Sequence, residues 1–204
     1  QWRIFGFSLT ILPILVIIIE LFALLMMGGF AALWLTYSIS VDPSLQSELM
    51  VLYNQITSAG NDPETILRLI EPYLLNPSII FWAIALFGGI VPIIEELVKP
   101  LALWSLAGRK PTPQEGWVGG LLCGAGFALT ENVLFFTTSI MSEDWLYMAV
   151  GRAGTGVLHM LASGLAGWGL AAAWANRKWL FLGLTTLGAF LLHGLWNALS
   201  LLTG

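Results

Sequence analysis

A transmembrane helix needs roughly 20 mostly apolar residues, because the hydrocarbon core is about 30 Å thick and a helix rises about 1.5 Å per residue. This sequence holds five such stretches, at residues 5–37, 78–106, 116–140, 145–175 and 179–202. The pattern predicts an all-α fold, a polytopic transmembrane helix bundle. Composition agrees: 57% of residues are hydrophobic and 10% charged, against about 25% charged in an ordinary soluble domain. A soluble globular domain and a disordered chain are both excluded. The net charge of −4 offers no basic footprint for nucleic acid. The single cysteine, Cys123, excludes an internal disulfide framework and a multi-cysteine zinc site.

Basic residues collect on the cytoplasmic side of a membrane protein. Arg3 precedes the first stretch, Arg109 and Lys110 follow the second, and Arg177 and Lys178 follow the fourth. With five crossings these clusters share one side, which places the N-terminus inside the cell membrane and the C-terminus outside. Glu143, Asp144 and the acidic segment 38–77 fall on the other side. The first stretch is too long, and Glu20 too central, for a signal peptide. In segment 38–77, Leu45, Leu49, Leu52 and Ile56 recur at helical spacing after Asp42-Pro43. Asp62 stands as an N-cap before Pro63, and Ile66, Leu69, Ile70 and Tyr73 continue an apolar face. Two short amphipathic helices are expected there, as a structured connector or a lid. The organisation read from this is one membrane domain, with an outer segment at 38–77 and a four-span core at 78–202.

An ionisable group at mid-bilayer costs at least about 2.5–3.5 kcal/mol, so each needs a reason. The apolar stretches contain Glu20, Glu95, Glu96, Lys99, Glu131, Arg152, His159 and His193, with the amides Asn132 and Asn197. Counting from the basic ends gives their depth. Glu95 lies 14 residues before Arg109, roughly 21 Å of helix. Glu131 lies 15 residues after Gly116 and His193 15 after Lys178, roughly 22 Å each. His159 lies 18 residues before Arg177, roughly 27 Å. Four spans thus carry acid or imidazole groups to one layer, where they face one another or a wet cavity.

Spacing adds detail. Glu95 and Lys99 are four residues apart and share a helix face, with Glu96 beside them. Lys99 would hold one carboxylate charged and leave the other to exchange a proton, as a general base that becomes a general acid does. The alternative is a charge-balanced pair that joins helices. His193 and Asn197 also share a face and could donate to an oxyanion. His159 could bind a metal or a carboxylate. Glu131, one turn after Phe127, could be a ligand, a supporting acid or the partner of a histidine. Arg152 reads as the counter-ion of a glutamate, and Glu20 as structural. Gly116, Gly120 and Gly124 form a small-residue stripe for close helix packing. Gly88, Gly89 and Pro92 could kink the second span beside the carboxylates. Cys123 lies about two turns from Glu131, poorly placed for a Cys–His mechanism.

These motifs resemble those of the PrsW-type intramembrane proteases, relatives of the type II CAAX prenyl endopeptidases and Abi-type proteins. Glu95-Glu96-Leu97-Val98-Lys99 is similar to the family's EExxK motif, and Phe127 through Glu131-Asn132 to FxxxEN. His159 with Ser163 and Gly164 matches the third motif, and His193-Gly194-Leu195-Trp196-Asn197 resembles HxxWN. Glu131 stands where the CAAX group usually has His, so the PrsW branch fits better.

The resemblance covers residues 90–199 and implies a membrane-embedded endopeptidase acting on a membrane protein. One such substrate class is the single-span anti-sigma factors. The expected catalytic set is Glu95, Glu96, Glu131, His159, His193 and Asn197, supported by Lys99, Asn132 and Arg152. Glutamate-activated water is the expected mechanism. A zinc-dependent version stays open, with Glu131, His159 and His193 as ligands; no HExxH is present. Aligned carboxylates also serve ion-coupled transporters, but no inverted repeat is evident. A non-enzymatic membrane scaffold is the remaining class.

Overall fold

The computed structural model describes residues 1–139 and 145–203. Glu143 and Asp144, expected on the outer side, and Ile140, the expected end of the third span, lie outside the described residues. Helices follow in the order α1 (Trp2–Val41), α2 (Pro43–Ala59), α3 (Pro63–Leu74) and α4 (Pro77–Ala83). A π-helical segment (Ile84–Ile90), α5 (Val91–Val98) and a 3₁₀ segment (Lys99–Leu106) complete the second run. Then come α6 (Pro113–Ser139), α7 (Trp145–Asn176) and α8 (Trp179–Thr203). Five runs are long and apolar enough to cross a membrane: Trp2–Val41, Pro77–Leu106, Pro113–Thr137, Trp145–Asn176 and Trp179–Leu202. No strand occurs among the described residues.

The chain divides into two compact units, residues 21–83 and residues 1–20 with 84–204. In the smaller unit, α2 and α3 are the two amphipathic helices expected from the periodicity. Each begins with Pro after Asp, as a helix N-terminus should, but the two aspartates act differently. Asp42 Oδ1 accepts from the backbone N–H groups of Ser44 (2.9 Å) and Leu45 (3.2 Å). Asp62 occupies the cap position of α3 without a side-chain bond to the backbone, and its carboxylate accepts from the Thr65 hydroxyl instead. Tyr73 Oη donates to Glu48 across the α2–α3 pair (3.2 Å).

The larger unit is built on the α6–α7 pair, and the glycine stripe explains how closely the two helices meet. A Cβ at Gly116 would lie 2.5 Å from the Gly167 carbonyl oxygen; at Gly120, 2.1 Å from that of Ser163; at Gly124, 2.2 Å from that of His159. Only hydrogen fits at these positions, so backbone meets backbone. The start of α1 covers the other side of α6. Ile4, Leu12 and Val16 are buried there with Leu103, Cys123 and Phe127, and Thr130 Oγ1 donates to the Leu9 carbonyl (2.6 Å).

Pro92 has no N–H to return to Gly88, one α-turn earlier. The helix widens into the π segment just ahead of it, as π turns do near functional sites. The expected irregularity of the second span therefore takes this form. The Gly88 carbonyl oxygen comes so close to α8 that a Cβ at Gly194 would lie 2.3 Å from it.

Two expectations follow. Gly124→Val pushes α6 off α7 at the level of His159, costing about 1–3 kcal/mol by overpacking; reversible unfolding in detergent reads the loss. The Asp42 carboxyl is held below its ordinary 3.8, first by the Ser44 hydroxyl and then by the Leu45 and Ser44 N–H groups. Its capping contribution is therefore complete above that ordinary value and lost as pH falls through the lowered one. Hydrogen exchange at Ser44 and Leu45, corrected for intrinsic rate, should show protection persisting below the ordinary carboxylate value of about 4 and disappearing only as pH falls through the lowered one. Asp42→Ala should lack that protection already at neutral pH.

Candidate active site

Four elements bring the polar side chains together. α5 supplies Glu95 and Glu96, and Lys99 follows at the first position of the 3₁₀ segment. α6 supplies Phe127, Glu131 and Asn132; α7 supplies Arg152 and His159; α8 supplies His193. Glu96, Lys99, His159 and His193 are almost fully enclosed by protein, and Glu95 is only slightly more open.

Lys99 is the hub. Its Nζ donates to Glu96 Oε1 (2.7 Å) and to His159 Nδ1 (2.8 Å), and pairs with Glu95 Oε2 (2.8 Å). The Phe127 ring lies beneath the ammonium, 4.4 Å from its centroid, a cation–π contact strengthened by desolvation. The Cys123 thiol donates to the Lys99 carbonyl (3.0 Å). That cysteine is therefore a buried packing group, as its depth implied.

The hydrogen bonds fix the histidine tautomers. An ammonium can only donate, so His159 Nδ1 is an acceptor and its Nε2–H donates to Glu131 Oε2 (2.7 Å). A carboxylate can only accept, so His193 donates from Nδ1 to Glu96 Oε1 (3.0 Å). Its Nε2 is left for a further partner. The two imidazoles stand edge to face, 4.8 Å apart. Glu131 is also paired to Arg152 (2.8 Å), and Arg152 Nε donates to Asn132 Oδ1 (2.8 Å).

Glu95 differs from its neighbour. Its Oε2 is close to Lys99 but poorly aligned for a hydrogen bond. The same atom is 3.8 Å from His159 Nδ1 and 4.0 Å from His193 Nδ1. Glu95 keeps a 7% exposed side chain where that of Glu96 has none, and that of Glu131 is 33% exposed. The cluster therefore opens at its Glu95–Glu131 edge.

The structure thus joins Glu95, Glu96, Lys99, Glu131, Asn132, Arg152, His159 and His193 in one network. Asn197 stands apart: its Nδ2 donates to the Phe87 carbonyl in the π segment (3.0 Å). Glu20 has one buried oxygen without a hydrogen-bond partner, as does the Ser163 hydroxyl. Thr155 is not singled out in the sequence, and Trp196 enters there only through the HxxWN resemblance. Thr155, one turn before His159, accepts from Trp196 Nε1 (3.0 Å). The Trp196 ring lies against Gly154, where a Cβ would be 2.8 Å from it. The four-residue spacing of Thr155 and His159 on one face was the available signal.

Glu95, Glu96, His159 and His193 each offer one ligand atom, all within 4.8 Å of one another, and this group could hold a metal ion. Imidazole and carboxylate are the donors zinc takes, so the residues fit such an ion by type and spacing. The family model for the PrsW family intramembrane metalloproteases matches residues 18–204. No curated protein and no solved structure matches the chain.

The central charge pairing gives a direct test. Lys99→Met leaves two buried carboxylates without their cation. Breaking a buried pair in this way costs about 3–5 kcal/mol. Lys99→Arg, which restores the charge but not the shape, should recover part of that stability in the same detergent unfolding assay.

Proposed function

The chain belongs to the PrsW family of intramembrane metalloproteases, and on that basis we propose that it cleaves a peptide bond of a single-span membrane protein with water activated by Glu95. The observation that carries this reading is the contrast between the two adjacent glutamates. Glu96 Oε1 is committed to both Lys99 and His193, whereas Glu95 Oε2 is buried near both imidazoles without a hydrogen-bond partner, on a side chain that keeps slight exposure.

In this reading Glu95 takes the proton from water and returns it to the leaving amine. Lys99 and Glu96 keep the site charge-balanced and fix His193 with Nε2 toward the substrate. As an imidazolium, His193 donates from Nε2 to the tetrahedral oxyanion. Glu131, held by Arg152, orients His159. Asn197 acts through the π segment it bonds, or rotates to donate to the same oxyanion. An anti-sigma factor is one substrate of the right form. The basic ends of the spans support an orientation with the N-terminus in the cytoplasm and the C-terminus outside the cell membrane.

The second reading rests on the 4.8 Å grouping of Glu95, Glu96, His159 and His193. These residues would hold a zinc ion, which would polarise the scissile carbonyl and lower the pKa of a water. Lys99 would then have to give up its place among the same donors, because His159 has both nitrogens engaged while it stays.

Cleavage of a single-span substrate in proteoliposomes tests the assignment. Glu95→Gln should lower kcat by about 10²–10⁴-fold while the protein unfolds as wild type does. His193→Ala should fall comparably. Folded variants that cleave like wild type would refute the protease mechanism. Stoichiometric zinc in purified active protein would select the second reading over the first.

A further inference from the structure

A second groove shares no lining residue with the cluster. It lies between α6, α7 and α8 at their basic ends and has a volume of about 810 Å³. Trp117, Leu165, Trp168 and Phe181 form its walls, and Asn176 and Lys178 stand at its mouth. Gly164 lets the wall form: a Cβ there would lie 3.1 Å from the Trp117 ring, so the indole can approach α7 closely. Trp168 and Phe181 meet edge to face, 4.9 Å apart, and close the side toward α8. From Leu165 to Asn176 is 11 residues, roughly 16 Å of depth into the bilayer.

Three features identify the occupant. The walls are apolar and the mouth cationic, with Arg177 adjoining Lys178. Among the described residues neither cation has a carboxylate within ion-pair distance. Arg177 also holds a left-handed backbone (φ 56°) at the α7–α8 turn, where glycine would be free of strain. A charged residue is thus kept at a position its backbone disfavours. Finally, the volume of about 810 Å³ is too small to enclose a whole helix. A helix 10–12 Å across would need roughly 1,300 Å³ or more over the same depth.

We propose that this groove binds one anionic diacyl phospholipid, an acyl chain between the aromatic walls and the phosphate headgroup at Lys178 and Arg177. Basic pockets between spans recognise anionic headgroups in this way. The site is distinct from the proposed proteolytic centre by its lining, which includes no residue of the cluster; its inner end at Leu165 lies six residues from His159, about 9 Å of helix, and its mouth at Lys178 lies farther away.

Native mass spectrometry of the full chain in detergent tests it, with phosphatidylglycerol and phosphatidylcholine of identical acyl composition. Wild type should retain one phosphatidylglycerol with on the order of tenfold preference. Arg177→Gln with Lys178→Gln should bring retention down to the phosphatidylcholine level. Leu165→Trp should fill the groove and remove the adduct. Should that variant fail to fold, quenching by brominated phosphatidylglycerol decides instead: it should fall in Trp168→Phe. Equal retention of the two lipids by wild type would overturn the proposal. So would a preference that survives loss of both cations, or a groove that crosslinks to a substrate's transmembrane segment and not to phosphatidylglycerol.

Discussion

The buried ammonium of Lys99 is the interaction on which the larger unit depends. An ion enclosed this completely needs compensation within hydrogen-bond reach, or its desolvation would cost several kcal/mol. Glu95 and Glu96 arrive from its own helical run, His159 from α7, and the Phe127 ring from α6. Each partner is thereby fixed in place. His193 is in turn fixed by Glu96, and Glu131 by His159. Four segments already packed through small residues are tied together at one point by charge.

That arrangement also accounts for the division of labour between neighbouring carboxylates. Adjacent residues on a helix point about 100° apart, so the two carboxylates meet different neighbours. Glu96 bonds both Lys99 and His193. Glu95 is close to Lys99 but not aligned to bond it. Identical side chains are made unequal by the directions in which the helix sends them.

Most of the fold was legible because its signals are long. Five apolar runs and two Asp-Pro helix starts specify the helices to within a few residues. The layer of charges was legible because helical rise turns residue count into depth. Angular detail was harder to read. That Asn197 would face the Phe87 carbonyl depended on the π segment, whose extra turn width follows from Pro92 but whose extent does not. Asp42 and Asp62 share the same local sequence logic and each accepts from a nearby hydroxyl, yet only Asp42 also caps its helix through the backbone, a difference of rotamer that residue type does not encode. Thr155 is an ordinary residue by type, and only its bond from Trp196 across two helices marks it.

The glycine stripe of α6 has a consequence for how this family of sequences can vary. Gly116 meets Gly167, Gly120 meets Ser163 and Gly124 meets His159: every four residues forward on α6 is four residues back on α7. Farther along the same two helices Ala128 lies near Gly156 and Glu131 pairs with Arg152, seven residues forward and seven back from the Gly124–His159 contact. The stripe is therefore a ruler that counts from the mouth of the bundle to its polar centre. A single-residue insertion or deletion between Gly116 and Phe127 would leave every motif intact, yet throw the count out of step. Length changes are tolerable in the connections between spans. Within α6 and α7, spacing is as much a part of the site as the residues that bear its charges.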